Sequence, residues 1–253
     1  MASKIAAQMY TVRDSCKTPE DIAESLAKIA AIGYESVQIS GIGEIDPQAL
    51  RGLCDDNGLS ICATHIPYAR MVDDPDGVIA EHNILGCKYP GIGGMDADYK
   101  KDGKYVEFAQ DASEVAKTLA AAGKIFVYHN HSWEFEKVAG RTVYETFVEE
   151  SDPDYFMFEI DTYWVAHGGA SPVAWINRLA DRLPVIHFKD MAMVGREQIM
   201  TEIGEGNLDW PGIVEACEAA GTEWYIVEQD TCQRDPFESL EISFNNIRSW
   251  GIE

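Results

Sequence analysis

What most limits the folds open to this chain is a regular alternation of short β-rich runs with helix-like stretches. The β-rich runs are Lys4–Tyr10, Ser36–Ser40, Ser60–His65, Cys87–Ile92, Lys124–Asn130, Tyr155–Asp161, Leu183–Lys189 and Trp224–Gln229. Several are nearly unbroken apolar runs, as expected of strands buried on both faces of a parallel sheet. The stretches between them open in one manner. Thr18-Pro19, Asp46-Pro47, Asp74-Pro75, Ser171-Pro172 and Asp235-Pro236 each set an N-cap residue before a proline whose fixed φ suits a first helical turn. Gly33, Asn57-Gly58, Gly86, Gly123 and Gly221 stand where a left-handed residue would end them. In the first helical stretch Ile22, Leu26, Ile29 and Ala30 form an apolar stripe.

Eight β–α units in 253 residues leave no spare domain, so residues 1–253 read as one α/β domain. Alternation of this kind argues for parallel strands and right-handed crossovers. An open doubly wound sheet is the competing arrangement, but no G-x-G-x-x-G follows the first strand. A closed (β/α)₈ TIM barrel, which typically takes about 250 residues, is the expected fold.

Forty-three acidic residues against twenty basic ones give a formal charge of −23. That charge repels polyphosphate, so nucleic acid is not an expected partner. Six scattered cysteines show no zinc-finger or CxxC spacing and read as reduced thiols, which suits the cytoplasm. The N-terminal apolar run is too short for a signal peptide, and no stretch approaches the roughly 20 apolar residues of a membrane span.

Chemistry concentrates in the second half. Four successive β-rich runs end in metal-binding side chains: His129-Asn130-His131 with Glu134 beyond it, Asp161, His187 and Glu228. In a parallel barrel these endings share the C-terminal rim, where barrel enzymes carry their active sites. A carboxylate closing a buried strand is costly unless paired or metal-bound. Asp161 would also serve as a helix N-cap, Glu228 as a surface loop residue and His187 as a core histidine; their joint occurrence favours a site. His129 and His131 share a strand face if the strand continues, and Glu134 reaches the rim if the loop bends, so any of the three could complete the ligand set. Two or three carboxylates with one or two imidazoles and no sulfur suit Mn²⁺ or Mg²⁺ first, with Co²⁺ or Zn²⁺ next. Lys189, two after His187, would face the same side and stabilise an enolate oxygen. Gln8, Tyr10, Gln38 and His65 close the first three strands, and His65 could bind a substrate hydroxyl. Trp133, Trp164 and Phe188 could pack on a sugar face, and His167 and Arg196 could bind polar substrate groups. Gly204-Glu205-Gly206 with Asp209-Trp210 reads as a loop shaping the rim.

Gln8–Arg13, Tyr128–Phe135, Asp161–Trp164, His187–Met191, Gly204–Gly206 and Val227–Asp230 resemble the xylose isomerase-like barrel superfamily, in its sugar phosphate isomerase/epimerase group. The resemblance implies one divalent metal held by a glutamate, an aspartate, a histidine and a glutamate after the fifth to eighth strands. Asp161, His187 and Glu228 carry over directly. Many relatives read Glu-Asn-His where this chain has His129-Asn130-His131, so Glu134 is taken as the replacement ligand and His129 as the second choice.

The implied activity is isomerisation or epimerisation of a sugar or keto-sugar, by proton transfer through an enediolate with the metal as Lewis acid. Glu228 and one of His129 or His131 would move the proton. Elimination from the same enolate gives the alternative, a lyase or dehydratase acting on a keto-sugar, inosose or C-glycoside. A nuclease of the same barrel type would need more histidines than the six present and a basic face. A non-catalytic barrel, serving as partner subunit or sugar-binding module, is the remaining reading. Without a Gly-rich phosphate loop, a free sugar is favoured over a phosphorylated one. Self-association into a homo-oligomer is compatible with such barrels.

Overall fold

Eight short runs, apolar towards the surrounding helices, pair side by side and close on themselves in this computed structural model, which describes residues 4–252. The barrel strands are β1 Ile5–Gln8, β2 Ser36–Ile39, β3 Ser60–His65, β4 Tyr89–Ile92, β5 Val127–His129, β6 Met157–Asp161, β7 Val185–Phe188 and β8 Trp224–Val227. Neighbours are parallel throughout, and β1 closes the ring by pairing with both β2 and β8. The expected (β/α)₈ barrel is therefore the observed fold. Most strands are shorter than the apolar runs that announce them. The run expected over Lys4–Tyr10, for example, turns into a 3₁₀ segment at Met9–Ser15 once Gln8 accepts a hydrogen bond from the Tyr10 amide.

The helix signals act as their chemistry demands. Thr18, Asp46, Asp74, Ser171 and Asp235 each accept from backbone amides of the following turn, with the proline at the helix start. Thr18 and Asp21 cap each other reciprocally. Such caps contribute about 1 kcal/mol apiece. Gly33, Gly86 and Gly221 stop their helices in the left-handed conformation.

Side chains along each strand alternate between the outer helical layer and the barrel lumen. Phe126, Tyr128, Phe156, Phe158, Ile160, Ile186, Phe188, Tyr225 and Val227 belong to the large outer core, with Phe108 and Phe147 packed on them. The lumen floor is a separate small cluster of Ala6, Cys62, Ala63, Tyr89, Val127, Val185 and Ile226. One pleat further along the same strands lie Gln8, Gln38, His129, Glu159 and His187, all buried. The lumen is thus apolar at the N-terminal end and polar at the C-terminal end.

Two small antiparallel ribbons were not expected. Lys137–Val138 pairs with Arg141–Thr142 after β5, and Asp190–Val194 pairs with Glu197–Thr201 after β7. The second turns at Gly195, whose φ of 61° suits glycine. Asp190 ties its base to the following loop by accepting from the amides of Met191, Gly204, Gly206 and Leu208 and from the Trp210 indole. A Cβ at Gly206 would lie 2.4 Å from an Asp190 carboxylate oxygen, which explains glycine there. All six cysteines are free thiols. No helix among the described residues is long and apolar enough to cross a membrane.

Candidate functional site

The C-terminal ends of β5 to β8 bring four ligating side chains together. His129, Asp161, His187 and Glu228 each offer one atom, and those atoms lie within 4.8 Å of one another. All four residues are buried. Parity explains the convergence: each stands on the lumen side of its strand, or one step beyond its end. His129 Nε2 lies 3.3 Å from Asp161 Oδ2, and His187 Nδ1 lies 2.9 Å from Glu228 Oε2. The other Asp161 oxygen accepts from the Trp164 amide at 2.9 Å, so one carboxylate both caps a helix and joins the cluster.

Lys189 is the built-in counterion. Its Nζ lies 3.2 Å from Asp161 Oδ2, 2.9 Å from Glu228 Oε2 and 2.8 Å from Asp230 Oδ2. Burial opposes its charge, but those three carboxylates outweigh burial and hold its pKa above the ordinary lysine value. Burial pushes Asp161 upward, with Glu228 adding to the rise against the opposing Lys189 charge. Burial also opposes ionisation of Glu228, yet Lys189 and His187 win and set it well below the usual carboxylate range. Burial and the neighbouring Glu228 push Asp230 up to about 6. Burial and then His129 push His131 down to about 3.

A pocket of about 300 Å³ opens above the cluster, lined by Tyr10, Ser40, His65, Gly93, His129, His131, Trp164, Lys189, Glu228 and Asp230. A hollow of similar size, about 290 Å³, lies at the other end between Tyr89, Lys124, Asp181 and Glu223. Its lining holds no imidazole, and the ligating cluster lies at the other mouth.

The donor set suits a divalent cation. Two imidazoles and two carboxylates would hold it and balance its charge, leaving Lys189 to pair with Asp230. His129 Nδ1 is buried without a hydrogen-bond partner, so the ring is held from one side only. Glu134, the first choice for the fourth ligand, is not brought to this place. Strand β5 ends at His129 and the chain turns outward, so Glu134 tucks behind the strand. There it accepts from the Tyr128 hydroxyl at 2.8 Å and the His131 amide at 2.9 Å. Burial pushes its pKa up to about 8 despite those hydrogen bonds.

Other expected residues divide between the pocket and its surroundings. Tyr10, His65, His131, Trp164 and Lys189 line it. Gln8 is fully buried beneath it and donates to Gln38. Trp133 packs on Tyr105 with the Lys100 ammonium over its ring, away from the lining residues. Phe188 faces the outer core, stacked on Tyr225. Arg196 is exposed at the ribbon turn, and His167 stacks on Tyr163 outside the lining residues. Among the residues the sequence reading passed over, Glu159 stands out. It is fully buried, contacts both His65 and His187, and shares the lumen face of Asp161 two residues away. That spacing in a strand buried on both faces is the pattern that could have revealed it.

Comparison with known proteins agrees with this fold. An inosose dehydratase from Geobacillus kaustophilus (strain HTA426) is 24% identical over 253 residues, spanning 84% of this chain and 82% of that protein. Another from Lacticaseibacillus casei is 23% identical over 255 residues, spanning 85% of each. A crystal structure of a sugar phosphate isomerase/epimerase from Parabacteroides distasonis ATCC 8503 superposes with a TM-score of 0.77 at 24% identity, covering 98% of this chain and 95% of that one. The structural likeness, at that identity, speaks for the fold. Residues 26–249 match the model of the xylose isomerase-like TIM barrel. With the closed eight-strand barrel and that match over most of its length, the chain belongs to the xylose isomerase-like TIM barrel family.

Proposed function

We propose that this protein is a divalent-cation-dependent enzyme that removes a proton next to the ketone of a neutral sugar or cyclic polyol. The observation that carries this reading is the buried His129–Asp161–His187–Glu228 cluster at the barrel mouth, open to a pocket with room for one sugar-sized ring. A divalent cation there would supply Lewis-acid polarisation of the carbonyl. Mn²⁺ or Mg²⁺ is the first choice and Co²⁺ or Zn²⁺ the second.

The chain's own groups do the rest. Lys189 sets a fixed positive charge at the pocket wall, where negative charge develops on the substrate oxygen. Trp164 offers a ring face and an indole N–H that is buried without a protein partner, suited to a ring hydroxyl. His65 opens its remaining ring nitrogen toward Gly93 at the pocket edge. The only lysine or arginine among the lining residues is Lys189, already shared by three carboxylates, which favours an uncharged substrate over a phosphorylated one.

Two outcomes diverge from the enolate. In elimination, the base keeps the α-proton, the C–O bond at the β-carbon breaks, and the departing hydroxyl takes a proton to leave as water. In isomerisation or epimerisation, a proton returns to another carbon or face. We adopt elimination, because the Lys189 ammonium in the pocket lining can give a proton to a departing hydroxyl. His131, also in the lining, is held as a neutral imidazole and is a poor donor for return of a proton to carbon. The inosose dehydratase relatives support the same choice. Isomerisation or epimerisation, the expectation from sequence, is the second reading and rests on the shared barrel and cluster.

The test is a panel of inososes, 3-keto-sugars and ketoses incubated in D₂O with Mn²⁺ or with chelator and followed by NMR. Deuterium should enter the α-position only with the cation, and an unsaturated or diketone product should accumulate for the eliminating substrate. A panel without exchange, or exchange indifferent to chelator, overturns the reading. Exchange that leads only to isomers decides for the second outcome.

A further inference from the structure

Beneath the ligand cluster lies a closed network whose direction is set by one residue. Glu159 is fully buried on β6. Its Oε1 accepts from Gln38 Nε2 at 2.8 Å and lies 3.2 Å from His187 Nε2. Its Oε2 contacts His65 Nε2. Gln8 Nε2 donates to Gln38 Oε1 at 2.7 Å, and that same oxygen lies 2.6 Å from His187 Nε2.

An ionised carboxylate only accepts, and this fixes everything around it. Both Glu159 oxygens lie against nitrogen donors, Oε1 against Gln38 Nε2 and His187 Nε2 and Oε2 against His65 Nε2, the surroundings of an acceptor. Facing an acceptor, the Gln38 amide must turn its NH₂ toward Glu159, which turns its oxygen toward His187. His187 must then carry a proton on Nε2, leaving Nδ1 to face Asp161 and Glu228. His65 must likewise carry a proton on Nε2. Its Nδ1 is left facing the space beside Gly93, where an added Cβ would lie 3.5 Å away. Gly91 makes room for this pose, since a Cβ there would lie 2.7 Å from Val127 and 3.3 Å from the His65 ring.

We propose that Glu159 is a positioning residue that sets the tautomers of both His187 and His65 from below. It turns the Nδ1 lone pair of His187 to the cation and the Nδ1 lone pair of His65 to a substrate hydroxyl. The first half rests on the cation site proposed above; the second stands without it. One buried anion thereby ties cation affinity to the recognition of a hydrogen-bond donor on the substrate.

Long-range ¹H–¹⁵N NMR of the imidazoles tests this without any turnover. In the cation-free wild type, His65 should carry its proton on Nε2; in the Zn²⁺-loaded wild type, so should His187. A neutral Nδ1–H tautomer at either ring overturns the proposal. In Glu159→Gln one amide must present NH₂ to a ring nitrogen, so at least one of the two imidazoles should switch tautomer. Calorimetric Mn²⁺ affinity should fall about 10–100-fold, the usual cost of losing such a partner. Unchanged tautomers with affinity within about twofold of wild type also overturn it. Should the variant not fold, the wild-type spectra decide alone. Should the wild type bind no cation, the proposed function fails, and the cation-free His65 spectrum still decides whether Glu159 orients that ring.

Discussion

The two ends of the barrel lumen are built from the same eight strands and obey opposite rules. At the N-terminal end Ala6, Ala63, Val127, Val185 and Ile226 meet as an apolar plug. At the C-terminal end Asp161, Glu159, Glu228, His129, His187 and Lys189 are buried just as deeply. Close packing stabilises the first, so any volume removed there is felt as lost stability. The second is held by compensation: each charge is tolerated only because its partners are in place. Substitutions at the plug should therefore act through stability alone, and those at the mouth through chemistry and through stability that a cation can restore.

The strongest test of that contrast is Glu228→Gln. Losing this ligand of the proposed cation site, the carboxylate expected from the sequence to move the proton, should lower turnover by about 10²–10⁴-fold or more while the circular dichroism spectrum stays native. An active Glu228→Gln protein would remove the mouth from the chemistry. Next comes Lys189→Met, which leaves Asp161, Glu228 and Asp230 without their shared ammonium. Breaking such a buried pairing should cost the cation-free protein about 3–5 kcal/mol. Added Mn²⁺ should recover much of this, giving a larger rise in melting temperature than in the wild type. A variant as stable as wild type without cation would show that Lys189 is not the counterion.

At the other end, Ile226→Ala should cost about 2–5 kcal/mol in urea unfolding and leave Mn²⁺ affinity nearly unchanged. Coupled losses would mean that the two ends are not independent. The smallest effect concerns Glu134. Its folded pKa of about 8 lies above its ordinary 4.5, so the folded protein holds a proton that the unfolded chain releases. Stability contributed by this group is therefore present below about pH 4.5 and is lost as pH rises towards 8. Glu134→Gln should flatten that part of the stability profile measured by denaturant midpoints. A profile with the wild-type slope would place the burden on other groups.

The barrel was legible because it depends on local chemistry: caps before prolines, glycine stops and doubly buried strands all speak for themselves. Asp161, His187 and Glu228 were legible for a related reason, since each closes an apolar run and a polar terminus stands out. Strand β5 was harder. Only three residues remain in its ladder, so the alternation that would assign His131 or Glu134 to a face stops at His129. Glu159 was hidden inside the run that Asp161 closes, where counting in twos rather than looking at the end would have exposed it. The ribbon after β7 escaped because its pairing depends on a turn at Gly195 and on Asp190, whose contacts lie up to twenty residues away.

The clasp at Asp190 has a consequence for how this mouth can diversify. Both roots of the excursion from residue 190 to residue 206 are fastened at one carboxylate, directly after Lys189. Its tip, carrying exposed Met193 and Val194, hangs free of that knot. Change at that exposed tip is therefore separated from His187 and Lys189 by the knot at Asp190, whereas Met200, Glu202 and Ile203 nearer the second root are buried and held to the barrel.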